Sequence, residues 1–154
     1  MIQSMRRSNR AITAKAAHAI LEKGEYGILS TVDINGQPYG VPLNYCVLNN
    51  QIYFHCALDG HKLTNLEFNA RASFCVVGNT RILPEKFAAI YESTIVFGVV
   101  REATGNEKQA VLEALLRKYS PTFYGKGLAY IQSAGEQTRV FGISIDSISG
   151  KARN

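Results

Sequence analysis

Cysteine is scarce in this chain, and its few copies follow no pairing pattern. Cys46, Cys56 and Cys75 are an odd number with no C-x-x-C spacing, which argues against a disulfide framework. Two of them lie in strand-like runs, where a free cysteine behaves as a small buried hydrophobe. Histidine is limited to His18, His55 and His61. These lack the clustered spacing of a zinc site, so a metal held by His55, Cys56 and His61 is a weak reading and none is expected. Long apolar runs are missing too: polar residues interrupt every one well before ~18 residues, which leaves no membrane-spanning helix. No apolar stretch follows Arg6-Arg7, so no export signal is read and a cytoplasmic protein is expected. There is no Walker A and no G-x-G-x-x-G pattern. No Ser-His-Asp order or paired-carboxylate spacing stands out, so hydrolase readings rank low.

Charge of one sign gathers at the two ends. The net charge is +5, and Arg6, Arg7, Arg10, Lys151 and Arg153 equal that whole excess. A nucleic-acid binder more often carries its basic stripe on a folded element. The ends therefore read as solvated tails, or as arms that pack on a partner subunit, and no nucleic acid is expected. A length of 154 residues with 46% hydrophobic and 19% charged content suits one domain, 1–154, with a real core.

Punctuation along the chain organises it. Thr13 is placed to cap a helix with Ala16, Ala17, Ile20 and Leu21 on its apolar face, and Gly24 ends it at the C′ position. Gly27–Val32 reads as a strand and Asp33-Ile34-Asn35-Gly36 as a turn. A partner strand follows from about Tyr39 to Leu48. Asn49-Asn50 is the next tight turn, leading into a strand from Gln51 to Cys56. A helix is expected from Leu63 to Phe68, a strand over Ala72–Val77, a loop from Gly78 to Glu85, and a long strand over Tyr91–Val100. Asn106 with Gln109 resembles a capping box for the clearest helix, whose buried face is Val111, Leu112, Leu115, Leu116 and Tyr119. Gly125-Lys126-Gly127 reads as flexible, and Val140–Ile145 as a last strand. Six mainly antiparallel strands with about three helices favour a small barrel carrying its helices outside.

Chemistry concentrates between Val41 and Lys62. In Gly60-His61-Lys62 a glycine and a cation stand where a helix begins, and helix starts offer free N–H groups and a positive dipole end to an anion. The backbone from Gly60 to Leu63 can wrap phosphate oxygens. The plainer alternative is a turn glycine beside a solvated lysine. Pro42 belongs at a strand edge or bulge, where freed backbone groups and the Asn44 amide can face a planar ligand. His55 titrates near neutrality and can serve as a proton donor or acceptor, or only order its loop. Cys56 can be a redox thiol or a packing residue.

Several pieces, in order, resemble a known family. They are Met5-Arg6-Arg7, Gly24-Glu25-Tyr26-Gly27-Ile28-Leu29-Ser30-Thr31, Gly36-Gln37-Pro38-Tyr39-Gly40-Val41-Pro42-Leu43-Asn44-Tyr45, Ile52-Tyr53-Phe54-His55-Cys56-Ala57, Gly60-His61-Lys62, Tyr91-Glu92-Ser93-Thr94-Ile95-Val96-Phe97-Gly98 and Ser149-Gly150-Lys151. Their order and spacing resemble the pyridoxamine 5′-phosphate oxidase-like flavoproteins with an FMN-binding split barrel, and among these the nitroimidazole-resistance (Nim-type) branch. The resemblance implies a mainly β, α+β split barrel forming a homodimer with FMN at the subunit interface. It implies that His61 and Lys62 hold the phosphate and that Val41, Pro42, Leu43 and Asn44 line the isoalloxazine. His55, Cys56 and Ala57 would lie near the ring and ribityl chain, with Asn65 also in the cofactor-binding set. His55 occupies the histidine position of the H-x-A motif and is the implied catalytic residue.

The chain also departs from that family. It has no tryptophan and lacks the arginine-rich C-terminal segment of true pyridoxamine phosphate oxidases, so vitamin B6 oxidation is not expected. Cys56 stands where a serine would be expected. The resulting expectation is an FMN-dependent oxidoreductase that reduces nitro-aromatic or quinone-like small molecules with electrons from NAD(P)H or another donor. The alternative is a non-enzymatic flavin- or haem-binding carrier or sensor.

Overall fold

Short-range turn chemistry organises the first half of the chain. The computed structural model describes residues 2–154. A two-residue strand, β1 (Ala11–Ile12), precedes helix α1 (Ala14–Lys23). Thr13 Oγ1 accepts the Ala16 N–H at 3.1 Å, the N-cap expected from sequence. Strands β2 (Gly27–Val32) and β3 (Pro38–Leu43) form a hairpin. At its turn the Asp33 carboxylate accepts the N–H groups of Asn35 and Gln37, both at 2.8 Å. Strands β4 (Cys46–Leu48) and β5 (Gln51–Cys56) meet across Asn49-Asn50. Both asparagines have positive φ, 50° and 56°, the twist that favours a two-residue hairpin.

The rest of the chain comprises α2 (His61–Phe68), β6 (Arg71–Leu83), β7 (Ala88–Ala103), α3 (Gly105–Tyr119), α4 (Tyr124–Ala134), β8 (Arg139–Ser144) and β9 (Ser147–Arg153). The sheet runs β3-β2-β6-β7-β8-β5-β4, all antiparallel, with β9 pairing β7 and β1. This is an α+β split barrel. It does not close: β3 and β4 stand at the two ends of the order without a further strand partner.

The split occurs along β7. Its residues Tyr91–Phe97 pair with β9 and Val100–Ala103 pair with β8. Between them lies Gly98, where a Cβ would overlap the backbone carbonyl of Ser144. Two bonds bridge the gap beside it, from Asp146 N to the Phe97 carbonyl at 3.0 Å and from Val99 N to Ser144 Oγ at 2.9 Å. The barrel interior is filled by Leu29, Ile52, Phe54, Phe74, Val96 and Ile143, all fully buried. A second cluster, with Tyr53, Val140, Val111 and Leu115, sits between the β5–β8 face and α3.

Several sequence expectations are corrected. The run Tyr39–Leu48 is two strands rather than one, because Tyr45 turns wholly into the core, its hydroxyl donating to the Leu21 carbonyl. The expected loop 78–85 is mostly strand. A bulge between Val77 and Thr80 absorbs Gly78 and Asn79, and the Glu92 carboxylate accepts the Asn79 N–H at 3.1 Å. Bulges keep such an insertion inside a ladder. Helix α3 starts at Gly105 after Thr104, with no side-chain cap, so the Asn106–Gln109 capping box does not form. Gly125-Lys126-Gly127 is helical, part of α4, and Gly127 lies so close to Leu116 of α3 that a Cβ would collide with it. Gly24 has φ −60°, not the left-handed C′ geometry; what it provides is room for the Tyr45 hydroxyl. The C-terminal basic residues are no solvated tail: Lys151 and Arg153 lie in β9, paired with Ser93 and Tyr91.

Replacing Gly98 by alanine forces the Ser144 backbone away from β7. We expect Gly98→Ala to cost about 3 kcal/mol, read as a lower urea midpoint, with Gly125→Ala, which meets open space, close to the parent.

Candidate functional site

Helix α2 opens at Gly60, whose φ of +152° suits glycine and around which a Cβ would meet nothing. The Gly60 carbonyl accepts the N–H groups of both Leu63 and Thr64 at 3.1 Å. Leu63 is therefore already engaged, and the open N–H groups of the first turn are those of His61 and Lys62. The His61 ring stacks on Tyr39 of β3, centroids 3.9 Å apart and planes 28° from parallel. Tyr39 fixes where His61 stands, a role the sequence did not reveal. Its alternation with Val41 and Leu43 along β3 was the available signal.

At the other end of β3, Asn44 donates to the Glu25 carbonyl at 2.9 Å. The adjoining break is clamped by Tyr119, the last residue of α3. Its hydroxyl accepts the Tyr45 N–H at 3.1 Å and lies 2.6 Å from the Glu25 carbonyl and 2.9 Å from the Tyr45 carbonyl. Lys118 Nζ donates to the same Tyr45 carbonyl at 3.0 Å and lies 3.9 Å from the Tyr45 ring centroid. Sequence reasoning took Tyr119 only as part of an apolar face and missed this hydroxyl.

Strand β5 sends its side chains alternately to two sides. Ile52, Phe54 and Cys56 pack toward the barrel core, while Tyr53 joins the cluster under α3. His55 follows Tyr53 and, with Asn44, borders a cavity walled by α3 and α4. The His55 side chain keeps an exposed face, and partial desolvation against the cavity lowers its pKa from 6.5, as does the nearby Lys62 charge. The Cys56 thiol is pushed up by burial, against the opposing charges of Lys62 and Arg139. It is thus held as a thiol, the form suited to packing rather than to nucleophilic redox chemistry. Beyond it, Arg139 donates to the Leu58 carbonyl at 3.1 Å while pairing with Glu102, which orders the segment carrying Ala57.

The anticipated residues thus fall into three places. His61 and Lys62 form the first turn of α2, with open backbone N–H groups and a lysine charge. Val41, Pro42 and Leu43 pair with β2 on one side and, among the described residues, have no strand on the other; with Asn44 just beyond, this edge runs from the Tyr39–His61 stack to the cavity beside His55. His55, Cys56 and Ala57 end β5, with Cys56 turned inward. Asn65 stands apart from the open surface: it is buried, and its amide donates to Thr31 Oγ1 at 3.0 Å, which pins α2 to β2. Among the described residues no three His, Cys, Asp or Glu side chains gather as a metal site, and no helix is long and apolar enough to cross a membrane.

The Lys62 charge and burial act on His55 in the same direction, and their order is testable. In an NMR titration His55 should titrate below 6.5. Lys62→Met should move it upward yet leave it below 6.5, because burial is the larger cause. A depressed pKa also means that the folded chain binds protons less readily than the unfolded one, so stability falls as pH drops below 6.5. His55→Gln should lose less stability over that range, measured by urea midpoints.

Comparisons with other proteins place the chain in a family and a fold. No curated protein sequence matches the chain. Among solved structures, a candidate 5-nitroimidazole antibiotic resistance protein from Bacteroides thetaiotaomicron is similar over 92% of this chain and 85% of that one, at 21% identity and TM-score 0.78. A FAD-binding protein from Mesorhizobium loti is similar over 94% and 98%, at 22% identity and TM-score 0.68. A FAD and haem binding protein from Mycobacterium smegmatis is similar over 92% and 72%, at 18% identity and TM-score 0.75. At these identities the likeness shows the shared fold. The family model described as pyridoxamine 5′-phosphate oxidase matches residues 13–152, nearly the whole sequence, and the chain belongs to that family.

Proposed function

We propose that this protein binds FMN and uses it to reduce nitro-aromatic or quinone-like small molecules. The observation that carries the reading is the layout of β3. Its unpartnered edge joins the Tyr39–His61 stack beside Lys62 at one end to Asn44 and the His55 cavity at the other. From Tyr39 to Asn44 that edge spans about 17 Å at the usual strand rise. It suits a long ligand with a phosphate at one end and a planar ring at the other. The residues fit the group: two open N–H groups, a lysine and an imidazole for the phosphate, and an open strand edge for the ring. Flavin-binding relatives of the same fold support the same cofactor class.

In this reading a bound flavin supplies the two-electron chemistry, while the protein supplies position and electrostatics. His61 and Lys62 bind the phosphate. The edge from Val41 to Asn44 orients the ring. His55 gives a proton to the substrate, so turnover rises as pH falls toward the His55 pKa and below it.

Purified protein should be yellow or become so with FMN. Lys62→Ala should weaken FMN binding about 10- to 100-fold, the worth of a hydrogen bond to a charged group, measured by flavin fluorescence quenching. His55→Gln should keep FMN within a few-fold of the parent and abolish the acid-side rise in rate. A colourless protein indifferent to FMN would sink the reading. A non-catalytic flavin or haem carrier is the second reading, favoured by the FAD and haem binding relative. Repeated reduction by NAD(P)H and reoxidation by an acceptor eliminates it.

We also propose that a second copy of this chain covers the outer face of β7. Ile95, Phe97 and Val99 alternate outward there, each more than 40% exposed, and Val77 of β6 is exposed as well. Contiguous apolar patches of this kind mark interaction surfaces, and a homodimer with FMN between subunits accounts for this one. Phe97→Glu should convert a dimer to a monomer in analytical ultracentrifugation. A parent protein that sediments as a monomer overturns the assembly.

A further inference from the structure

The side of β5 away from the barrel core encloses, with the two long helices above it, a cavity of about 270 Å³. Leu112, Leu115 and Leu116 of α3 and Ile131 of α4 form much of its wall, and His55 and Asn44 stand on its rim. No lysine, arginine, aspartate or glutamate lines it. Of its polar side chains, three are engaged within the protein, and the hydroxyls of Ser120 and Tyr130 are open to a ligand. The Tyr119 hydroxyl is held by the Tyr45 and Glu25 backbones, the Thr138 hydroxyl donates to the Ala134 carbonyl, and the Asn44 amide nitrogen donates to the Glu25 carbonyl. The His55 imidazole takes no part in that network, and the Asn44 side-chain oxygen remains as an acceptor.

We propose that this cavity binds a small neutral ring compound, one or two rings in size, whose polar substituent meets His55 and Asn44. The volume lies at the low end for small-molecule pockets, which suits one or two rings better than a larger system. Walls of leucine, isoleucine and alanine with the rings of Tyr119 and Tyr130 favour an apolar ring body, because burying it removes apolar surface from water. No cation lines the wall, so a carboxylate carried deep into the cavity would lose hydration there, with the Lys62 charge acting only near His55. His55 itself stays uncharged at neutral pH, since burial and the Lys62 charge both hold its pKa below 6.5, so it meets a ligand as a neutral donor and acceptor. The use of the bound ring, as the acceptor reduced beside the flavin, rests on the function proposed above. Binding itself needs no flavin.

The test uses flavin-free protein with labelled Ile, Leu and Val methyl groups and titrates it with 2-naphthol, a neutral two-ring probe. Saturable shifts are expected at Leu112, Leu115, Leu116 and Ile131 and not at Leu29 or Val96 in the barrel. Naphthalene-2-carboxylate should bind at least about 5-fold more weakly, which corresponds to roughly 1 kcal/mol. Two variants fill the space. Gly135 lines the cavity in helical geometry, φ −59° and ψ −34°, and a Cβ there meets nothing, so Gly135→Phe is compatible with the fold. Ile131→Trp fills it from α4. Loss of at least about 10-fold in 2-naphthol affinity in either variant, with an unchanged melting temperature, supports the site. No saturable shift, shifts centred on Ile95 and Val99 of the outer sheet face, equal or tighter binding of the carboxylate, or unchanged binding in both variants overturns it. A protein that binds 2-naphthol in this way but never binds FMN retains the cavity site while losing the flavin reading.

Discussion

The whole arrangement depends on one strand serving two sheets. β7 is 16 residues long, about three times the usual strand. It keeps β6 on one side while its other side passes from β9 to β8. That exchange needs the chain to cross β7 at very close range, and Gly98 is where it happens. The backbone of Ser144 occupies the place of a side chain, and bonds from Asp146 and to Ser144 Oγ restore the ladder on either side. Backbone groups left unpaired in so crowded a position would each be costly. Because the strands diverge there, β5 and β8 swing away from β2 and β3, and the barrel never closes. The open edge of β3 and the end of β5 are products of this divergence rather than separate inventions.

The neighbourhood of β5 shows how burial divides two adjacent reactive side chains. His55 and Cys56 are neighbours in sequence, yet strand alternation sends one toward the α3–α4 cavity and turns the other to the core. Desolvation opposes the charged form of each. For the histidine that means a neutral ring near physiological pH; for the cysteine it means an intact thiol. Lys62 reinforces the first shift and opposes the second, as its positive charge must. A single lysine at a helix start thereby acts on two neighbouring groups with opposite outcomes, an imidazole and a thiol.

What could be read from sequence was what short-range chemistry decides. The Thr13 cap, the Asp33 and Asn49-Asn50 turns, and the Val111, Leu112 and Leu115 part of the α3 apolar face each depend on residues within a few positions and formed as expected, whereas Leu116 is half-buried and Tyr119 is exposed. The start of α2 after Gly60 was legible for the same reason. The failures involve distant partners. Gly78-Asn79 looks like a turn until Glu92, 13 residues away, holds it in a bulge. The break after Leu43 needs Tyr119 and Leu21, neither near it in sequence. Gly125 and Gly127 weaken an isolated helix, and only the close approach to Leu116 shows why α4 tolerates one of them. The buried position of Asn65 depends on Thr31 from another element.

The Tyr119 hydroxyl is one of several ties between the cavity and the β3 edge, beside Asn44 and Lys118. It ends the helix that walls the cavity, and it holds both backbone polar groups of Tyr45 beside the open edge of β3. An outward shift of α3 large enough to admit a bulky guest must break those bonds and release the kink. A guest that shifted α3 would therefore couple occupancy of the cavity to the shape of the strand edge, and by reciprocity a ligand that tightened the edge would alter affinity in the cavity by the same factor. The Tyr119 hydroxyl and the Lys118 ammonium, both on the Tyr45 carbonyl, are the atoms such coupling would pass through.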